Sequence, residues 1–343
     1  MAIKVAINGF GRIGRAFFKV ATERMEVDIV AVNDLGDVDN LAYLLKYDTV
    51  YGRSGLDVKT EKGDENYLIV NGKKVRFLSE KDPSNLPWGE MEIDIVVEST
   101  GLFTSYDKAS AHLKAGAKRV VVSAPVKGEI VDGVKGETVL LGINEDKLKD
   151  VDISSNASCT TNAASPLMQI LDESIGVEKA LLSTVHGYTA SQAIVDGPAK
   201  KDWKEGRAGA QNIVPTSTGA AIAVALALPQ LTDKFDGISM RVPVPAGSIA
   251  DITFIAKRNT SVEEINNILK RASLDDRWSK VFSTTDEPLV SSDIVGSKYA
   301  SIADLGLTRV VDGNLVKVCA WYDNEMGYTH ALVEHVIISG ENI

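Results

Sequence analysis

Apolar runs broken by glycine or polar turns recur along the N-terminal half, a pattern that predicts short buried strands with helices between them. Lys4-Val5-Ala6-Ile7-Asn8 reads as the first strand, Gly9-Phe10-Gly11-Arg12-Ile13-Gly14-Arg15 as a glycine turn, and Ala16-Phe17-Phe18-Lys19-Val20-Ala21 as a helix. Asp28-Ile29-Val30-Ala31-Val32-Asn33 is the next strand, and similar runs lie at 74–77, 93–98, 119–123 and 138–142. Their ends predict loops at the carboxyl edge of a mostly parallel sheet, the edge where such sheets bind ligands. Ser99-Thr100-Gly101 and Ser123-Ala124-Pro125 are candidates to line it. Beyond residue 158 the pattern changes. A helical apolar run covers 163–171, with Asn162 or Ser165 as candidate caps. Longer strands follow, among them 179–185 and 316–321, and a helix closes the chain.

The glycine turn carries chemistry through its context. In strand, GxGxxG and helix order, Gly9 permits the tight turn, Gly11 admits a pyrophosphate close to the backbone, and Gly14 lets helix and strand pack. Asp34 ends the next strand twenty residues past Gly14, where a ribose-binding carboxylate is expected. The competing reading makes these glycines ordinary turn residues and Asp34 a solvated strand end.

Cys159 stands at the mouth of the second-half helix. Free amides there stabilise negative charge, which would lower a thiol's pKa and form an anion hole, so Cys159 is a candidate nucleophile. A buried structural cysteine is the alternative, but Ser158, Thr160, Thr161 and Asn162 make a polar setting. His186 leaves an apolar strand and could serve as base if folding brings it beside Cys159. His112, His330 and His335 are read as structural or surface residues, and Cys319 as a core strand residue.

The 343 residues allow about two domains, and 44% hydrophobic with 24% charged residues is ordinary globular composition. A net charge of −10 gives no general footprint for nucleic acid or an anionic membrane, which points to small ligands held locally. Met1-Ala2-Ile3-Lys4 leads straight into the first strand, and no run approaches the roughly 18 apolar residues of a membrane span. Two distant cysteines suit a reducing compartment, so a cytoplasmic protein is expected. No histidine, cysteine and carboxylate spacing indicates a metal site.

Several separated motifs resemble the phosphorylating glyceraldehyde-3-phosphate dehydrogenase family: GFGRIGR at 9–15, Ser158-Cys159-Thr160-Thr161-Asn162, Thr184-Val185-His186-Gly187-Tyr188-Thr189, the run 211–221, and Trp321-Tyr322-Asp323-Asn324-Glu325. The resemblance covers essentially the whole chain. It implies an α/β protein, a Rossmann-type dinucleotide-binding domain (1–157 and 324–343) with an α+β catalytic domain (158–323). It implies NAD-dependent oxidation of glyceraldehyde 3-phosphate with inorganic phosphate, through a thiohemiacetal and a thioester on Cys159, with His186 moving the proton. Ser158, Thr160, Thr189, Thr218, Gly219 and Arg241 match substrate and phosphate positions. Gly9, Gly11, Arg12, Ile13, Gly14, Asp34, Lys81, Ser123 and Asn324 match cofactor positions, and Asp34, Leu35 and Pro198 match the NAD-preferring pattern. The segment 190–212 resembles a long intersubunit loop, which implies a homotetramer. Departures are Lys81 for an arginine, Ala163 for a second cysteine, Glu205 for an arginine, Ile222 for a lysine, Val244-Pro245-Ala246-Gly247 for a Thr-Pro-Asn-Val segment, and Met326 for an aromatic residue. The alternatives are erythrose-4-phosphate dehydrogenase and a noncatalytic dinucleotide- or RNA-binding protein.

Overall fold

Every residue of Ile3–Asn8 except Lys4 is buried, so this strand has no face for water and takes a central place in a sheet. In the computed structural model, which describes residues 2–199 and 202–343, that sheet has nine strands. From edge to edge they are Gly136–Thr138, Ile153–Ser155, Arg119–Val122, Ile95–Glu98, Ile3–Asn8, Val27–Asn33, Lys73–Leu78, Asn66–Val70 and Val58–Glu61. The first seven pair in parallel, and the last two extend the sheet antiparallel. The chain runs outward from Ile3–Asn8 to one side and then returns to its other side at Ile95–Glu98. That reversal marks the carboxyl ends of these two strands as the expected ligand position in such a sheet.

The helix Arg12–Ala21 buries Phe17, Phe18 and Val20, and Phe10 meets Phe18 edge to face at 5.6 Å. The expected strand at 138–142 is corrected to one that ends at Thr138. Leu140 donates its N–H to Asn144 Oδ1 at 2.8 Å and accepts from Ile143, while Gly142 takes φ +75°, so the apolar run closes a turn instead of extending.

The chain divides into two compact units: residues up to Val139 with Glu145–Ala157 and Leu332–Ile343, and Leu140–Asn144 with Ser158–Ala331. Two details depart from the expected spans. Leu140–Asn144 joins the second unit because Gly142 packs on Trp278 and accepts from Arg277 Nε. The return to the first unit comes at Leu332 because Asp323 ties the preceding turn to Gly296, Glu325 and Met326.

In the second unit a seven-stranded sheet runs Val214–Ser217, Phe235–Val242, Val177–Gly187, Ser248–Ala256, Leu315–Tyr322, Ser301–Val311 and Phe282–Thr285. Helix Cys159–Ile175 packs on this sheet and against the helices Ala220–Ala227 and Val262–Ala272. It buries twelve of its seventeen residues, including Pro166, and so serves as the core of the unit. Its cap is Ser158, four residues or more before the candidates from sequence: Ser158 Oγ accepts the Thr161 N–H at 3.1 Å.

His335, in the C-terminal helix, is fully buried in the first unit. Nδ1 donates to Asn156 Oδ1 at 3.2 Å and Nε2 accepts from Ser154 Oγ at 2.7 Å, an arrangement that satisfies the neutral ring. Burial drives its pKa from 6.5 to about 3. Below pH 6.5 the unfolded chain therefore binds a proton that the folded chain refuses until about pH 3. Stability is present above 6.5 and lost as pH falls through that window, by about 1.4 kcal/mol per pH unit for such a group. His335→Gln is expected to flatten the dependence of the urea midpoint on pH between 6 and 4. An unchanged slope would assign the acid sensitivity to other groups.

Candidate active site

The carboxyl edge of the first sheet is built around glycine. Gly9 holds φ +95°, and a Cβ there would lie 2.6 Å from the Thr100 nitrogen. A Cβ on Gly14 would lie 2.1 Å from the Gly9 carbonyl oxygen. Gly11, by contrast, has nothing within 4 Å of that position, and no side chain caps the helix that starts at Arg12. Open space at the second glycine, over uncapped helix amides, fits a pyrophosphate. Asp34 faces the same turn. Its Oδ2 accepts the Phe10 N–H at 2.6 Å and its Oδ1 the Gly36 N–H at 2.8 Å, which fixes the carboxylate beside the glycine turn. These residues fit a dinucleotide.

The remaining cofactor candidates are placed less uniformly. Ile13 is half-buried in the first helical turn, and Arg12 pairs with Asp48 at 3.2 Å. Lys81 is exposed beside Asp82, which caps the turn Pro83–Asn85. Ser123 Oγ donates to Ser99 Oγ at 3.2 Å, joining two loops of the edge. Asn324 belongs to the second unit. Its Oδ1 accepts from Ser248 Oγ, which in turn accepts the Gly187 N–H, so the carboxamide is held in one orientation beside the His186 strand.

In the second unit, Cys159 opens its helix one residue after the Ser158 cap. Ala157, immediately before the cap, is fully buried and sits at φ +53°, a conformation that costs a residue bearing a Cβ about 1 kcal/mol. Cys159 Sγ lies 3.3 Å from His186 Nε2, within hydrogen-bonding reach for sulfur. His186 ends the strand Val177–Gly187, directly opposite Arg241 on the parallel neighbour Phe235–Val242. That register brings Arg241 Nη1 to 2.6 Å from His186 Nδ1, and the Gly187 carbonyl oxygen lies 2.6 Å from the same nitrogen. The two contacts demand opposite tautomers. Arg241 requires a lone pair on Nδ1, whereas the Gly187 carbonyl requires a proton there.

Burial, then the Arg241 charge, push His186 down to about 3, with the Gly187 carbonyl opposing them. Burial also pushes the Cys159 thiol up, against the Arg241 charge and the Thr160 amide and hydroxyl. The amides at the helix N-terminus pull the thiol down, as their position suggests, but desolvation outweighs them. The pair is thiol and neutral imidazole, and forming a thiolate requires the base.

Four of the expected oxyanion ligands hold hydrogen bonds within the chain. Ser158 Oγ also bonds Thr161 Oγ1 at 2.8 Å, and Thr160 Oγ1 bonds Tyr322 Oη at 2.9 Å. Thr189 bonds Ser191 at 2.9 Å and Gln192 at 3.3 Å. Thr218 Oγ1 accepts the Ala220 N–H, and Gly219 opens the helix Ala220–Ala227 with nothing within 4 Å of its Cβ position. Ile222 turns away into an apolar groove of about 850 Å³ with Leu181, Leu226 and Phe235, a groove that holds none of the chemical residues. Tyr322 was quoted in a motif but given no role. It bridges Thr160 and Thr184 and stands edge-on to His186 at 5.9 Å. Nothing in sequence distinguishes such a tyrosine from any buried one.

The family model described as "Glyceraldehyde 3-phosphate dehydrogenase, NAD binding domain" matches residues 3–106, and "Glyceraldehyde 3-phosphate dehydrogenase, C-terminal domain" matches 158–324. Glyceraldehyde-3-phosphate dehydrogenase from Geobacillus stearothermophilus is 47% identical over 97% of each chain. Glyceraldehyde-3-phosphate dehydrogenase 2 from Streptomyces avermitilis and the glyceraldehyde-3-phosphate dehydrogenase of Mycobacterium tuberculosis are each 46% identical over the full length of both chains. With both halves matched and relatives this close from end to end, the chain belongs to the glyceraldehyde 3-phosphate dehydrogenase family.

Proposed function

We propose that this chain oxidises glyceraldehyde 3-phosphate to 1,3-bisphosphoglycerate, with NAD as hydride acceptor and inorganic phosphate as acyl acceptor. The observation that carries the reading is the 3.3 Å pairing of Cys159 Sγ with His186 Nε2 beside Arg241. Bound NAD would supply the hydride acceptor, held by the Gly9–Gly14 turn, Arg12, Ile13, Asp34, Lys81, Ser123 and Asn324.

The rest of the chemistry falls to side chains of the chain itself. An anionic substrate phosphate at Arg241 and Thr189 draws the guanidinium away from His186. Nδ1 is then free to carry the proton towards the Gly187 carbonyl, which leaves the Nε2 lone pair for the Cys159 thiol. Sγ attacks the aldehyde carbon and forms a thiohemiacetal, whose oxyanion the helix amides near Cys159 stabilise. His186 returns the thiol proton to that oxygen, which gives the neutral hemiacetal, and takes it back as the hemiacetal is oxidised to the thioester, the two electrons leaving with the hydride that bound NAD would accept. A phosphate oxygen attacks that carbonyl, the carbon–sulfur bond breaks, and Cys159 leaves as thiolate. Thr218 and Gly219, with the Ser158 and Thr160 backbone, form the second oxyanion region at helix N-termini.

Initial rates of reduced-cofactor formation test this, with glyceraldehyde 3-phosphate and with erythrose 4-phosphate, across phosphate concentration at fixed ionic strength. A rate independent of phosphate, with free acid as product, would overturn the phosphorylating assignment. A higher kcat/KM for erythrose 4-phosphate would overturn the substrate.

Asp34→Ala is expected to weaken NAD binding and improve NADP binding relative to it, since a ribose acceptor and a charge that repels the extra phosphate are lost together. Equal losses for both cofactors in binding titrations would remove Asp34 from ribose recognition.

We also propose a homotetramer in the cytoplasm. The second sheet leaves Leu181 and Ile238 exposed, and the segment around 190–212 exposes Ile194, Val195 and Trp203, apolar side chains that a partner copy would cover. A monomer by light scattering at micromolar concentration would overturn that assembly. Both cysteines are free thiols, as a reducing compartment maintains.

A further inference from the structure

Beneath the carboxyl edge of the first sheet lies a buried polar network that none of these steps uses. Glu98 ends the strand Ile95–Glu98 and its side chain is completely enclosed. One carboxylate oxygen accepts the Thr100 N–H at 2.8 Å, and the Thr100 hydroxyl donates to the same oxygen. The other accepts Asn8 Nδ2 at 2.6 Å and faces His112 Nε2 at 3.1 Å. His112 has its tautomer set from behind. Trp88 Nε1 donates to Nδ1 at 3.0 Å, so the ring proton resides on Nε2 and points at Glu98.

The network continues through Asn8. Its Oδ1 accepts from Asn33 Nδ2 at 2.7 Å, and the same Asn33 carboxamide clamps the Glu80 backbone, accepting its N–H at 2.8 Å and donating to its carbonyl at 2.9 Å. Each anchored residue adjoins a part of the cofactor edge: Asn8 precedes Gly9, Asn33 precedes Asp34, Glu80 precedes Lys81, and Thr100 is the residue against which Gly9 must lack a Cβ.

We infer that Glu98 is a positioning residue for NAD: one buried carboxylate, acting through Asn8, Asn33 and Thr100, holds the glycine turn, Asp34 and the Glu80–Lys81 loop in binding geometry before the cofactor arrives. The inference rests on the NAD reading of the edge. Buried carboxylates persist where donors surround them, and this one gathers four, three of them from Asn8 and Thr100 beside the glycine turn and the fourth from His112 behind. A glutamine cannot replace it. Its NH₂ would face either Thr100 or the Asn8 and His112 donors. Asn8 cannot turn because its oxygen serves Asn33, and His112 cannot change tautomer because Trp88 occupies Nδ1.

The test is calorimetric titration of NAD into the wild type and Glu98→Gln, with amide hydrogen exchange across 9–14, 79–82 and 98–102. Expected are a Kd for NAD raised about 10-fold or more, the scale of one unsatisfied buried donor, and faster exchange in all three segments. At saturating NAD, the KM for glyceraldehyde 3-phosphate should stay unchanged. Asn33→Ala, which leaves the Glu98 contacts intact, is expected to raise Kd less and to accelerate exchange chiefly at 79–82. A Glu98→Gln protein with lower thermal stability but a Kd within two-fold of wild type would overturn the inference, because that is a purely structural role. Should Glu98→Gln not fold, Thr100→Val removes one hydroxyl bond to Glu98, and an unchanged NAD Kd for it overturns the inference equally. A wild type that binds no NAD overturns the cofactor reading and this inference together, whereas wild-type binding matched by Glu98→Gln overturns this inference alone.

Discussion

Cys159→Ser is expected to lower turnover by roughly 10⁴-fold or more, the scale on which loss of a nucleophile acts, while the NAD Kd stays within about two-fold. The argument is one of location and acidity. The cofactor edge lies in the first unit, and its glycine turn, Asp34 and Glu98 network make no use of residue 159. A serine hydroxyl at the same place is far less acidic than a thiol, and the neutral His186 beside it is a weak base for such a proton. The second cysteine provides an internal control. Cys319 is buried, and burial followed by the Asp251 charge pushes its thiol up to about 11. Iodoacetamide should therefore modify the wild type at one site and Cys159→Ser at none. Residual turnover within ten-fold of wild type would reject the covalent route.

His186→Asn should slow turnover by about 10² to 10⁴, the range of general acid-base catalysis. An asparagine can keep a hydrogen bond to sulfur but cannot accept its proton. Since burial holds the Cys159 thiol above its ordinary value, the variant must draw on hydroxide for its thiolate. Alkylation of Cys159 should then be slow at neutral pH and rise with pH across the alkaline range, while the wild type reacts readily near neutrality once an anion engages Arg241. Identical pH profiles for the two proteins, or an unchanged pre-steady-state burst, would show that His186 is not the base.

The sequence makes legible the part of the site written in local order. The strand, glycine turn and helix at 3–21, and Asp34 at the next strand end, each depend on neighbours within a few residues, and their geometry follows from backbone sterics. Cys159 and His186 were nameable singly, but their 3.3 Å meeting comes from helix Cys159–Ile175 packing on a strand that its own sequence does not specify. The pairing of His186 with Arg241 depends on parallel register across 55 residues, which no periodicity encodes. The balance that sets the thiol's acidity is hidden from the sequence for a related reason. Helix position is local, but desolvation is set by everything that packs around the sulfur. Ser158 was overlooked as the cap because the apolar run begins later, and 138–142 was read as strand because a buried turn and a buried strand share composition. His112 illustrates the limit most clearly. As a histidine in a helix it carried no signal, yet between Trp88 and Glu98 it has a fixed proton and a defined neighbour.

Ala157 has a consequence that equilibrium stability would not register. A glycine at this left-handed position would relieve about 1 kcal/mol of strain but would lose about as much in extra chain freedom given up on folding. The two choices are nearly equal in free energy and unlike in kinetics. With a Cβ, the turn before Ser158 has fewer neighbouring backbone basins open to it than a glycine would have. With glycine, the same average structure would be reached by a turn that wanders, and a fraction of encounters with the aldehyde would find the nucleophile out of line. Ala157→Gly is therefore expected to leave the urea midpoint nearly unchanged while lowering kcat, and an unchanged kcat would show that the turn's freedom does not reach the sulfur.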